Sequence, residues 1–169
     1  SNKMWIIVKY KKNELPILIK EIQDKVGDDI KIFEQKIKYQ KNGKQKLKIM
    51  TTNLLNNYLF CYHESFGERL SAYKLQYCKG LVQILDGWIQ NQKNLIQFVN
   101  LCKNCEDNSG FLTQKFFNIL DIKKGKFISG PFTDMLFYII SKTKKHLKIS
   151  IENKVAIIDR DAGYLYHAI

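Results

Sequence analysis

The sequence predicts an α+β protein: an antiparallel sheet with helices on one face, followed by a small β-barrel. Three observations carry this. Through the first two thirds of the chain, apolar spacing alternates between strand and helix periods. The segment "CEDNSGFLTQ" at 105–114 then interrupts the pattern with charge, small residues and a glycine. Beyond it the period falls to two, in short runs divided by turn residues. The expected division is a first domain at 3–104, a linker at 105–115 and a second domain at 116–169.

The elements follow in order. "MWIIVKY" (4–10) is β-branched and aromatic, a buried opening strand. "NELPILIKEIQDKVG" predicts a helix: Asn13 can cap it, Pro16 is tolerated in its first turn, Leu15, Leu18, Ile19 and Ile22 share a face, and Gly27 ends it. Ile30 and Ile32, then Ile37 and Tyr39, lead to a hairpin turn at Asn42-Gly43, with Leu47 and Ile49 leading out. "NYLFCY" (57–62) alternates Tyr58, Phe60 and Tyr62 with Leu59 and Cys61, so one strand face carries three rings. Phe66, Leu70 and Tyr73 suggest a short helix, "GLVQIL" (80–85) a strand, and Leu95, Phe98, Val99 and Cys102 an amphipathic helix. In the last third, "GKFISGPFTDMLFYIIS", "HLKISI" and "KVAIID" read as barrel strands.

The 169 residues carry 28 basic and 16 acidic side chains, a net charge of +12. Residues 1–104 hold 18 basic against 9 acidic, and residues 105–169 hold 10 against 7. Such a balance suits a polyanionic neighbour, either nucleic acid or an acidic protein surface. Lysine supplies 26 of the 28 positive charges. It contacts phosphate well but lacks the fork that reads guanine. A lysine- and asparagine-rich composition alone is the other explanation. From Lys36 to Lys48 the hairpin has six lysines and no acid, with Lys41, Lys44 and Lys46 at its tip. This is either a cationic arm or an edge guarded by lysines. Lys9, Lys11 and Lys12 surround Tyr10 at the exit of the first strand, either a phosphate-and-stacking site or loop lysines around a core tyrosine.

Other chemistry is weakly represented. Cys102-Lys-Asn-Cys105 is a lone C-x-x-C without a second ligand pair, so neither metal nor redox function is expected. Cys61 and Cys78 read as small core residues, and His63 as a solvated histidine at a strand end. No phosphate-cradling loop, serine elbow or catalytic carboxylate pair is present, and no enzyme activity or cofactor is expected. No apolar run approaches the roughly 20 residues of a membrane span. The expected setting is the cytoplasm, with reduced thiols, as a monomer without a membrane partner.

Several segments resemble the NusG-type transcription elongation and antitermination factors. The opening strand with Trp5, the basic hairpin and Leu54-Leu55-Asn56-Asn57-Tyr58-Leu59-Phe60 look like their NGN domain. Gly125-Lys126-Phe127-Ile128-Ser129-Gly130-Pro131-Phe132 looks like their KOW motif. Asn56 replaces the usual proline, and Phe137 falls where a glycine is usual; the Asn57-Tyr58-Leu59-Phe60 run and the missing glycine lean toward the specialised RfaH-like branch. Fold switching is not inferred, because Leu147, Ile149 and Ile151 alternate as in a strand. The resemblance implies a KOW-like barrel containing Gly125, Gly130, Pro131 and Phe132. It also implies an RNA-polymerase clamp-binding face with Leu55, Tyr58, Phe60 and Ile84. Contact of Lys9, Lys11 and Lys12, and of the hairpin lysines, with non-template DNA or nascent RNA would follow. The barrel would meet a ribosomal protein or a termination factor. For the rings the alternative is ordinary core. For the whole protein it is an RNA- or ribosome-binding module acting through the barrel.

Overall fold

The computed structural model describes residues 3–42, 47–55, 57–116, 140–142, 146–151, 154–159 and 166–168, with backbone only for 39–42, 47–50, 52 and everything from 140 onward. It is a mixed helix-and-strand chain whose strands pair antiparallel in all but one case among the described residues. No helix among the described residues is long and apolar enough to cross a membrane.

Two compact units interleave along the chain: residues 1–34 with 57–96, and residues 35–56 with 97–169. This differs from the expected division at 3–104, 105–115 and 116–169. The physical reason is strand pairing. The hairpin strand β3 (Lys36–Asn42) pairs with β4 (Leu47–Asn53) and, in parallel, with β10 (Tyr166–Ala168). The hairpin therefore joins the C-terminal strands in one six-stranded sheet, with β3 between β4 and β10. Within it, β7 (Ile140–Lys142), β8 (His146–Ile151), β9 (Lys154–Asp159) and β10 run antiparallel in sequence.

The first unit is a sheet of order β2-β5-β1-β6, made by β1 (Met4–Tyr10), β2 (Lys31–Phe33), β5 (Tyr58–His63) and β6 (Leu81–Ile84). Helix α1 (Leu15–Val26) buries Leu18 and Ile22, as its spacing predicts. Its cap differs, however: Glu14 is the N-cap without a side-chain bond, while Asn13 turns the chain at φ 71°. Gly27, at φ 120°, ends the helix and its N–H returns to the carbonyl of Gln23.

Helix α3 (Gln92–Asn104) buries Leu95, Phe98, Val99 and Cys102. The segment 64–77 is less regular than its stripe suggests: a 3-10 turn (Glu64–Gly67), helix α2 (Arg69–Tyr73) and another 3-10 turn (Lys74–Tyr77). Phe66 is buried, but Leu70 stands 83% exposed. The hairpin register also differs, since Asn42 pairs with Leu47 and so belongs to the ladder rather than to a two-residue turn.

The expected linker is folded. Asp107 Oδ1 accepts from the N–H groups of Ser109 and Phe111, forming a tight Asx-type turn. Short bridges join Glu106 to Leu112 and Lys36 to Phe111. Cys105, Leu112 and Phe116 are buried, with Phe116 edge-on to Phe98 at 6.2 Å.

Candidate functional site

Register decides which side chains share a face. Between β1 and β5, Trp5 faces Tyr62, Ile7 faces Phe60 and Lys9 faces Tyr58; from β2, Lys31 faces Tyr62 and Phe33 faces Phe60. Directly paired antiparallel residues project to the same side. One face therefore gathers Trp5, Phe33, Tyr58, Phe60 and Tyr62, with a lysine at each end. The Trp5 ring centroid lies 6.4 Å from that of Phe33, 6.4 Å from that of Phe60 and 4.8 Å from that of Tyr62, and the Phe33 and Phe60 centroids are 6.0 Å apart. Most of these contacts are edge-to-face, the arrangement the ring quadrupoles favour.

Three of the five rings are interior. Phe60 is fully buried, and Trp5 and Phe33 are each 6% exposed. What this face presents is its rim: the half-buried Tyr58 and Tyr62, each with a lysine ammonium over it. Lys9 Nζ stands 5.9 Å from the Tyr58 ring centroid, and Lys31 Nζ stands 5.9 Å from that of Tyr62. Such cation–π pairs contribute about 0.5–1 kcal/mol each at exposed positions and hold both partners in place.

The opposite face is aliphatic. Ile6 faces Cys61, and Val8 faces both Leu59 and Ile84. Ile84 thus lies on the other side of the sheet from Tyr58 and Phe60. Leu55 is fully buried and belongs to the second compact unit. The structure therefore brings only Tyr58 and Phe60 of the four sequence-chosen residues onto one face, with Phe60 in the interior. Tyr62 and Lys31 are the additions, and alternation from Tyr58 could have found the tyrosine. Lys31 needs the β2–β5 register. Burial alone pushes the Cys61 thiol up to about 12.

The first-strand lysines divide. Lys9 is half-buried within β1, whereas Lys11 and Lys12 are exposed in the following turn. Tyr10 is only 7% exposed, so its ring is core and not a stacking surface. Lys41 lies in β3. Lys44, Lys46, Gly125, Gly130, Pro131 and Phe132 lie outside the described residues.

A side-chain clasp completes the sheet. Gln92 Oε1 accepts from the Trp5 N–H at 2.9 Å, and its Nε2 donates to the Trp5 carbonyl at 2.6 Å and the Trp88 carbonyl at 2.9 Å. The amide thus acts as one residue of a strand that β6 is too short to supply. Trp88 is buried and donates from its indole to the Phe66 carbonyl at 2.8 Å.

His63 is buried rather than solvated, at 6% exposure. Its Nδ1 accepts from the Ser65 N–H at 3.1 Å and lies 2.8 Å from Ser65 Oγ, while Nε2 lies 3.0 Å from Asp29 Oδ1. Since Nδ1 must accept, the neutral ring carries its proton on Nε2 and donates it to Asp29. Asp29, His63 and Glu64 bring one ligand atom each within 4.8 Å of one another. A cation at Nε2 would need that proton moved to Nδ1, where it would oppose the Ser65 N–H. The residues fit a capped turn better than a metal site.

Cys102 and Cys105 close the C-terminal end of α3, both buried. Burial pushes the Cys102 thiol well above the usual range, with Glu106 and Cys105 adding to it; burial also raises Cys105 against the opposing charge of Lys115. A reactive thiolate needs the reverse. No protein-family model matches this sequence, and no curated protein matches it either.

Proposed function

We propose that the chain is a transcription elongation or antitermination factor of the NusG type, which grips RNA polymerase through the aromatic face of its first sheet. The observation that supports this most is the in-register stripe of Lys9–Tyr58 and Trp5–Tyr62–Lys31. Half-exposed tyrosines backed by a rigid ring cluster make good interface anchors. The flanking ammoniums suit a partner surface that is apolar at its centre and acidic at its edges. Phe60 acts beneath this surface, as its support. Lys11, Lys12 and the hairpin lysines Lys41, Lys44 and Lys46 contact nucleic acid through phosphate, and strands β7–β10 belong to a KOW-like barrel. Binding across the polymerase cleft favours the closed clamp by differential affinity and so suppresses pausing or termination.

The test is affinity of the full chain for core RNA polymerase, wild type against Tyr58→Ala/Tyr62→Ala. The reading expects a loss of roughly tenfold or more per ring, as for hot-spot residues. A folded double variant with unchanged affinity would sink it. If the wild type ignores polymerase and instead holds RNA with a steep salt dependence, the chain is an RNA- or ribosome-binding module.

A further inference from the structure

Away from the aromatic face, a cleft of about 410 Å³ opens beside the end of α1 and the segment 65–77. Such a volume falls in the range of small-molecule sites, roughly 300–1,000 Å³. Val26 and Leu75 provide its apolar wall, and Lys25, Lys74, Ser65, Ser71 and Tyr77 its polar groups. All belong to the first compact unit.

Both lysines are exposed, and among the described residues neither is paired with a carboxylate. Lys25 Nζ donates to the Lys74 carbonyl at 3.3 Å and stands 5.8 Å from the Tyr77 ring centroid. This fixes the ammonium while using one of its three donors. Tyr77 is 78% exposed, so one ring face can receive a planar group beside the charge. The two serine hydroxyls are turned to replaceable acceptors, Ser65 to His63 Nδ1 at 2.8 Å and Ser71 to Glu68 Oε2 at 3.3 Å. If Ser65 Oγ turned to a ligand, Nδ1 would keep the Ser65 N–H, and His63 would stay held by Asp29.

We propose that this cleft binds a phosphate monoester carrying a planar ring, of mononucleotide size. The dianionic phosphate sits between Lys25 and Lys74 and takes the serine hydroxyls as further donors, and the base lies on Tyr77. Charge-assisted hydrogen bonds are the strong ones in such a site, and a lysine ammonium that is not paired with a carboxylate among the described residues has the most to gain. The site is independent of the polymerase reading and stands or falls without it.

Titration of the full chain with AMP, inorganic phosphate, ribose 5-phosphate and adenosine tests this by calorimetry, with amide shifts at Ser65 and Lys74 locating the ligand. AMP should bind most tightly, the two simpler phosphates more weakly, and adenosine not at all. Lys25→Gln and Lys74→Gln should each weaken AMP roughly tenfold. Lys25→Arg should retain binding, and Lys20→Gln, on an exposed α1 position outside the cleft, should change nothing. A 5′-phosphorylated single strand is the other carrier of the same group. Binding to it, lost on dephosphorylation and on Lys74→Gln but without AMP binding, would keep the monoester site and overturn the free nucleotide. Adenosine binding equal to AMP, equal weakening by Lys20→Gln, or no binding by any phosphate would overturn the proposal.

Discussion

On one side of the β2-β5-β1-β6 sheet, Trp5, Phe33 and Phe60 pack edge to face and leave Tyr58 and Tyr62 half-exposed under two lysines. On the other side, Ile6, Val8, Leu59 and Cys61 are fully buried, and His63 at the strand end is tied to Asp29 and Ser65. At their centres the two faces are equally dry. They differ at the rim, where one offers phenol edges and lysine ammoniums and the other a closed polar cap. On the proposed reading, recognition would draw on the periphery of the ring cluster, while its middle supplies stiffness.

That contrast can be broken most severely at Phe60. Phe60→Ala removes a fully buried ring from the Trp5–Phe33 cluster and should cost about 3–5 kcal/mol in urea unfolding. A loss below 1 kcal/mol would mean the ring is not part of a close-packed centre.

The aliphatic face is sharpened by alkali. The buried Cys61 thiol is raised from 9.0 to about 12, so its contribution is fully present below the unfolded value near 9 and is lost as pH rises toward 12. Between pH 8 and 10.5 this single group should remove about 2 kcal/mol of stability. Urea midpoints of wild type against Cys61→Ala across that range isolate it from lysine and tyrosine titration; parallel curves would show that the thiol is hydrated.

A smaller effect is expected at the clasp. Gln92→Ala leaves the Trp5 N–H and carbonyl without their partner and should cost about 1–2 kcal/mol. If the Trp5 amide exchanged no faster with solvent in the variant, another group would be bonding it.

The ring face was legible because strand alternation is a local property: Tyr58, Phe60 and Tyr62 declare a common side within five residues. Helices α1 and α3 were legible for the same reason, through Leu18 and Ile22 and through Leu95, Phe98, Val99 and Cys102. What escaped depends on partners far along the chain. Ile84 was placed with the rings, but its register opposite Val8 puts it on the aliphatic side. Residues 105–115 looked like a linker because they are polar. Asp107 folds that polarity into a turn that lets Leu112 and Phe116 reach the interior. Lys25 and Lys74 stand 49 residues apart, and no periodicity links them.

The Gln92 clasp has a consequence for assembly. The four-residue β6 covers only part of β1 and would leave Trp5 with an open main-chain donor and acceptor, an invitation to a strand from another molecule. By filling that vacancy with an amide, α3 serves as an edge guard as well as a core element. Edge-to-edge growth of this sheet at Trp5 is blocked by a side chain 87 residues away, on a helix that has no place in the ladder itself.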